Sequence, residues 1–376
     1  MARALAILML VSLLPMQPSA AASGVRALTI DSDPGNYVGQ GAHHVLTPAN
    51  ATMAAFANGS RISIEAEGEA KWHATVWPPN GEELAPGHYT TSDDPTDTTL
   101  ALLDVFGDGR ACDHTGEMTV HEVGFDGAGD LNVLALTYRL TCQSNTPPPN
   151  DMYGEIRWDS TLGYSASTLS STSLDLGKGI VGTEGPSGSI TLTNHGSTPL
   201  TVALPSLSGD GQHFSPGGSC IGAAIAPGGA CELIATFAPQ GAGNLSSTLT
   251  VDAGAPRGPR PISLTGHASW KTKATTVLKR HFGKQGKFKL FRFGSKILQI
   301  GRARPDLGGR ELEFVAQRKA RRWKTAAEGT FRINSKGIAR AVFVGRPGKY
   351  RTFVYYGGDD QHTFARSRFA FFKIVV

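Results

Sequence analysis

Four cysteines, eleven histidines and a run of interleaved lysines and phenylalanines are the residues in this chain with most chemistry to offer. Cys220 and Cys231 flank IGAAIAPGGA, whose Pro227-Gly228-Gly229 is a strong turn signal. The segment CELIATF that begins at Cys231 alternates apolar and polar residues, so a bridge here would staple the base of a loop entering a strand. A cross-linked loop this short contributes just under ~3 kcal/mol in the chain-entropy picture. Cys112 and Cys142 repeat the device. GEMTVHEVGF and LNVLALTYRL read as strands around Asp126–Asp130, and folding about Ala128 sets Phe125 against Leu131 and position 114 against Cys142. Cys112 is then about two residues out of register, a gap that one bulge closes. Four cysteines allow three pairings. The pairing Cys112–Cys142 with Cys220–Cys231 is the one that is local in both halves, and no CxxC-type spacing supports a metal site instead.

Other candidate chemistry is weaker. Asp31, Asp33 and Gly35 in DSDPGN resemble the start of a calcium loop, but the position that needs a bidentate Glu is Ala42. His43, His44, His73, His88, His114 and His121 lie in the first third without HExxH or other ligand spacing. Ser187 in GPSGS lacks the second glycine of a nucleophile elbow. Glu65, Glu67 and Glu69 alternate, which places them on the wet face of one strand. No catalytic residue, metal ligand or cofactor is assigned, and the chain is expected not to be an enzyme.

The basic run KRHFGKQGKFKLFRFGSK, Lys279 to Lys296, has more content. Alternation is expected to turn Phe282, Phe288, Phe291 and Phe293 toward the core and the cations outward. Candidate polyanion-binding residues are Lys279, Arg280, Lys284, Lys287, Lys289, Arg292 and Lys296, with a second group at Arg318, Lys319, Arg321, Arg322 and Lys324. The bland alternative is a solvated basic face that keeps the domain soluble. The partners that fit are an anionic cell-envelope polymer, an acidic polysaccharide, lipid headgroups or released DNA. No reading helix or RNA-binding motif supports specific nucleic-acid recognition.

These residues must be positioned by β structure. Gly, Pro, Ser and Thr are frequent, short alternating runs are broken by turn signals, and long helical periodicity is absent. The expected fold is all-β, with three tandem β-sandwich, Ig-like domains after a signal peptide. Arg3, the apolar run Ala4–Met16 and the small residues Ser19–Ala22 have the layout of a secretory signal over residues 1–22. The apolar run is shorter than the roughly 20 residues a spanning helix needs, and no later transmembrane segment is visible. Secretion, to the extracellular space or cell surface, also permits disulfides.

Charge divides the rest. Residues 24–165 carry a net charge of −14, residues 166–268 of −2 and residues 269–376 of +20. Such segregation supports an acidic domain over 24–165, a central domain over 166–268 and a basic domain over 269–376. The acidic domain is expected to have about eight short strands, with turns at Asn80-Gly81 and Pro86-Gly87. Pro147-Pro148-Pro149 interrupts pairing before a last strand at YGEIRW. Thr161–Ser173 reads as a flexible connector.

The central stretch resembles a bacterial choice-of-anchor D module, related to the ASH (hydin-like) immunoglobulin-like domains. The likeness rests on SLDLGKGIVG, GSITLTNHGSTPLTV, Phe214, Cys220, Pro227-Gly228, Cys231, Phe237–Pro239, Gly243, TLTV and Ile262–Gly266. It implies that Cys220 and Cys231 are an intradomain staple and that His195 is structural. It also implies interaction roles in secreted or surface proteins, and carries over no catalytic residue. Residues 273–376 resemble a bacterial Ig-like domain of exported proteins, through Gln317-Arg318, Trp323-Lys324, Gly337, Gly348–Arg351, Tyr355–Asp360 and Ser367. The first domain resembles an N-terminal module of other exported bacterial proteins through LAPGHYT, DGRAC, GEMTVHEVGFDGAGDLNVLALTYRLTC and YGEIRW.

The expected function is that of an exported, non-catalytic surface-interaction or adhesion protein whose basic domain binds anionic polymers. The opposite charges of the first and last domains predict self-association as well. The alternatives are a secreted hydrolase with its active site in the first domain, or a structural spacer.

Overall fold

The computed structural model describes residues 24–80, 82–143, 150–305 and 307–376. The expected signal peptide and the triple proline at Pro147–Pro149 lie outside the described residues. Those residues form an all-β protein with one short 3-10 turn, Gly211–His213, and no α-helix among them. The chain divides into two compact units, Met1–Ala166 and Ser167–Val376.

The first unit has ten strands: β1 Val25–Ser32, β2 His43–Leu46, β3 Thr52–Asn58, β4 Arg61–Glu67, β5 Lys71–Trp77, β6 Gly87–Ser92, β7 Ala101–Gly107, β8 His114–Phe125, β9 Leu131–Cys142 and β10 Asp151–Ser160. They make one sheet in the order β2-β1-β10-β9-β8-β6-β7-β5-β4-β3, where eight strands were expected. His44 on β2 nevertheless lies 5.5 Å from the indole of Trp72 on β5, with β1, β10, β9, β8, β6 and β7 between them in the sheet. The sheet therefore folds over on itself, and its two arms enclose a single core. Alternate residues of each strand enter that core, among them Ile62, Ile64, Trp72, Leu103, Leu134 and Leu136. Gly107 lets the Trp72 ring lie against the backbone, because a Cβ there would stand 2.3 Å from that ring.

The β8–β9 hairpin sets Phe125 against Leu131 and His114 against Cys142, with a slip at Val120/Glu122 undone at Gly124/Phe125. Cys112, just before β8, is bonded to Cys142.

The second unit contains two sandwiches with separate cores. In the central one, Ser167–Leu169, Ser187–Asn194, Ala230–Phe237 and Phe214–Gly217 form one sheet, and Ser173–Ile180, Arg260–Ser269, Gly243–Val251 and Ser206–Gly209 form the other. Leu192, Phe214, Phe237, Leu249, Ile262 and Leu264 fill the space between them. Cys220 is bonded to Cys231 at the start of its strand.

The basic sandwich faces a sheet of Lys273–Lys279, Ile297–Arg304 and Ile338–Phe343 with a larger one. The larger sheet runs Gly283–Gln285, Phe288–Arg292, Ala370–Val375, Gly348–Tyr356, Glu311–Lys319, Trp323–Arg332, with Ala365–Arg366 also paired to Gly348–Tyr356. Its core holds Leu312, Phe314 and Val354 at one end and Phe291, Tyr350, Phe372 and Ile374 at the other. Trp270 joins the two sandwiches: its N–H donates to Gln361 O at 2.7 Å and its carbonyl accepts from Thr363 N at 3.0 Å. The ring of His267 adds a bond to Asp360 O at 2.7 Å.

Candidate polyanion-binding face

The face begins with strand parity. Phe288–Arg292 runs parallel to Ala370–Val375, with Phe291 opposite Ile374 and Lys289 opposite Phe372. Phe291, Phe372 and Ile374 are buried, so Lys289 shares their side of the sheet and Phe288, of the other parity, faces outward. Lys289 thus departs from the expected exposed set. Its ammonium donates to Leu278 O at 2.8 Å, and burial, helped by Lys284 and Lys279, lowers its pKa. The expectation that the phenylalanines face inward holds for Phe291 alone, since Phe282 and Phe293 are 55% and 58% exposed.

On the outer side the rings form a connected strip. Centroids are 5.8 Å apart for Phe288–Phe371, 6.3 Å for Phe371–Phe369, 5.3 Å for Phe369–Phe353 and 6.2 Å for Phe353–Tyr355. Trp323 lies beside it, 6.3 Å from Phe371. Cations cover these rings. Arg351 stands 4.2 Å over Phe369 and 4.8 Å over Trp323, and Lys287 stands 4.2 Å over Phe371. Lys373 lies 5.3 Å from Phe288, Arg366 5.5 Å from Phe353 and Lys319 5.6 Å from Trp323. The ring quadrupole attracts a cation without neutralising it, which fixes the positions of the charges and preserves them.

The expected residues fall into two groups on this sandwich. Lys284, Lys287 and Arg292 are exposed along one edge of the larger sheet, with Lys279, Arg280 and Lys296 exposed in the neighbouring strand end and turns. Arg318, Lys319, Arg321, Arg322 and Lys324 are exposed around the hairpin at the opposite edge. Arg318 donates to Pro347 O at 2.8 Å and Lys319 to Arg321 O at 3.2 Å. Between the edges run Ala370–Val375 and Gly348–Tyr356, with Lys373 directly opposite Lys349 and Phe371 opposite Arg351. Sequence reasoning missed Lys349, Arg351, Arg366, Lys373 and Trp323 as members. The signal was the two-residue spacing of Arg351, Phe353 and Tyr355 and of Phe369, Phe371 and Lys373.

The remaining candidates have local roles. Among the described residues no group of three or more His, Cys, Asp or Glu side chains could hold a metal ion. Asp33 accepts the Asp151 N–H at 3.0 Å, and His73 stacks on Phe106 at 5.0 Å. Ser187 shares a hydrogen bond with Thr236 at 2.8 Å, and His195 one with Thr168 at 2.9 Å. His114 is buried 3.6 Å from Asp93 and 3.8 Å from Asp104, outside hydrogen-bond reach of both.

No family model and no curated protein matches the chain. Among solved structures it is similar to a Porphyromonas gingivalis W83 protein of unknown function, at 13% identity over 54% of this chain and 91% of that one, with a TM-score of 0.25. It is also similar to the secreted serine protease VesC from Vibrio cholerae, at 12% identity over 95% and 99% of the two chains, with a TM-score of 0.22. The N-terminal four Ig domains of a Dscam1 isoform match at 10% identity over 93% and 92%, with a TM-score of 0.23. Scores this low carry no argument about what the chain does.

Proposed function

We propose that the protein is exported and works by binding, with its basic third holding anionic polymers at or outside the cell surface. The observation that carries this reading is the larger sheet of residues 269–376. Two exposed cation groups sit at its opposite edges, and a strip of ring-supported cations connects them. A net charge of +20 in that third gives the face a long-range attraction for polyanions. The two disulfides and the signal-like start support export, and the resemblance to choice-of-anchor D and Ig-like domains of exported proteins supports an interaction role.

Affinity comes from displaced counterions, so it should fall linearly with salt on a log–log plot. The test is a salt-titrated binding assay on the mature chain with duplex DNA and a heparin-like glycan. Replacing Arg318, Lys319, Arg321 and Arg322 by Ser should weaken both ligands similarly and flatten the DNA slope by up to ~3.6, at about 0.9 for each phosphate that is no longer neutralised. Binding that is flat with salt, or confined to one neutral sugar, overturns the proposal.

A further inference from the structure

The first unit carries a second site, independent of the basic face. The strand β5 ends at Trp77, where Pro78-Pro79 stops further pairing. Trp77 faces Leu102 across the β5–β7 pair on the solvent side of the sheet and remains 41% exposed. The segment after Pro79 and the loop entering β7 are tied by Asn80 N–H to Thr98 O at 3.0 Å. Between them is a cleft of about 300 Å³, walled by Trp77, Leu102 and prolines and edged by Glu82, Asp94 and Asp97.

The lining is rich in acceptors and has no lysine or arginine. Asp94 uses one carboxylate oxygen, Oδ1, to accept the Thr96 N–H and hydroxyl at 2.8 and 2.7 Å. Asp97 uses its Oδ1 in the same way for Thr99, at 3.0 and 2.6 Å. These bonds fix both carboxylates at the edge of the cleft. The Thr96 bonds also hold the Asp94 carboxyl below the usual carboxylate range, so it stays charged at neutral pH. The ring already draws a cation from its own chain, since the Arg61 guanidinium lies 5.9 Å over Trp77.

Charge selects the ligand. An anion would meet three carboxylates in a region of net charge −14. A neutral apolar ligand would strip water from those carboxylates without replacing it, and neutral hydroxyls would return weaker hydrogen bonds than a charged donor gives. A cation on an aliphatic body gains the indole face, the apolar walls and charge-assisted hydrogen bonds together. We infer that this cleft binds an organic cation, an ammonium or guanidinium group on a short aliphatic body. Its volume lies at the small end of ligand sites and suits one such group. A free polyamine and a lysine or arginine side chain of a basic peptide share this chemistry.

The test titrates the mature chain with spermidine, with a blocked Gly-Lys-Gly peptide and with a neutral chito-oligosaccharide, by calorimetry. Saturable binding of spermidine or the peptide is expected, and the stronger of the two identifies the source. Trp77→Ala and the pair Asp94→Asn with Asp97→Asn should each weaken it at least tenfold; the asparagines keep the acceptor that Thr96 and Thr99 need. Asp126→Asn with Asp130→Asn, in the β8–β9 turn of the same unit, should leave it unchanged. Equal weakening by that control pair would reduce the effect to diffuse charge and overturn the site. Cation binding unaffected by the cleft variants, no cation binding, or binding of the neutral sugar alone would overturn it as well.

Discussion

In the first unit most cations meet carboxylates, Arg26 with Asp159 and Arg157 with Glu155 at 2.6 Å, Arg139 with Asp151 at 2.7 Å, and Lys71 with Glu67 at 3.5 Å, while Arg61 lies over Trp77. In the basic third 26 lysines and arginines share 6 acidic residues, and among the described residues the arginine–carboxylate pair there is Arg310 with Asp359. Ring faces take over, under Arg351, Arg366, Lys287 and Lys373. A carboxylate neutralises the cation it holds, whereas an aromatic ring holds it and leaves its charge facing outward. Cations are neutralised within the fold in one region and left charged at the surface in the other.

The strongest way to break that contrast is to remove a paired cation. Arg157 and Glu155 are 4% and 5% exposed. Arg157 also donates to Leu136 O at 2.7 Å and Gly163 O at 2.9 Å. Burial pushes the Glu155 carboxyl up, and Arg157 partly offsets it. Arg157→Met strands that carboxylate, and chemical denaturation should show a loss of about 3–5 kcal/mol from the first unit. Adding Glu155→Gln to this variant should recover part of the loss. A cost under ~1 kcal/mol would mean that the pair is not structural.

A ring-held cation should cost less to remove and should affect binding more. Arg351→Ala gives up its stacking on two rings and a bond to Gln317 at 2.7 Å. The expected loss is about 1–2 kcal/mol, because these interactions are partly solvated. Arg351→Lys should keep the salt slope of DNA binding while losing part of the stability, since a lysine keeps the charge and not the planar fork. If Arg351→Ala costs as much as Arg157→Met and leaves the salt slope unchanged, the two regions use their cations alike.

How much of this was legible follows from parity. The β8–β9 register could be counted from Ala128, and the structure has Phe125 opposite Leu131 and His114 opposite Cys142. The cation groups were visible as runs of one charge. The aromatic strip was not, because it is assembled from Phe288, Trp323, Phe353 and Phe371, which lie far apart in sequence and meet only through strand order. Within one strand, parity could have corrected the reading: Phe288 and Phe291 are three residues apart and cannot face the same side. The curl of the first sheet and its cleft were also hidden, since nothing local announces that His44 meets Trp72 or that Asn80 meets Thr98.

The smallest effect concerns the basic third's own carboxylate pair. Burial acts against the charged form of Asp359. Hydrogen bonds from Tyr356, Arg310, His362 and the Gln361 N–H outweigh it and hold the carboxyl well below the usual range. A carboxyl lowered in the folded state stabilises it fully above the unfolded pKa of about 3.9; the contribution begins to shrink below that value and is gone only once the pH has fallen through the much lower folded one. Asp359 begins the turn whose Asp360 and Gln361 carbonyls receive His267 and Trp270, so protonation should loosen the junction of the two sandwiches. Asp359→Asn should lower the denaturation midpoint of the second unit at pH 7 and lower it by less at pH 3, where the unfolded carboxyl is largely protonated and part of the advantage is gone. An equal loss at both pH values would show that the turn is held by shape rather than charge, and would leave the basic third without a paired cation that matters.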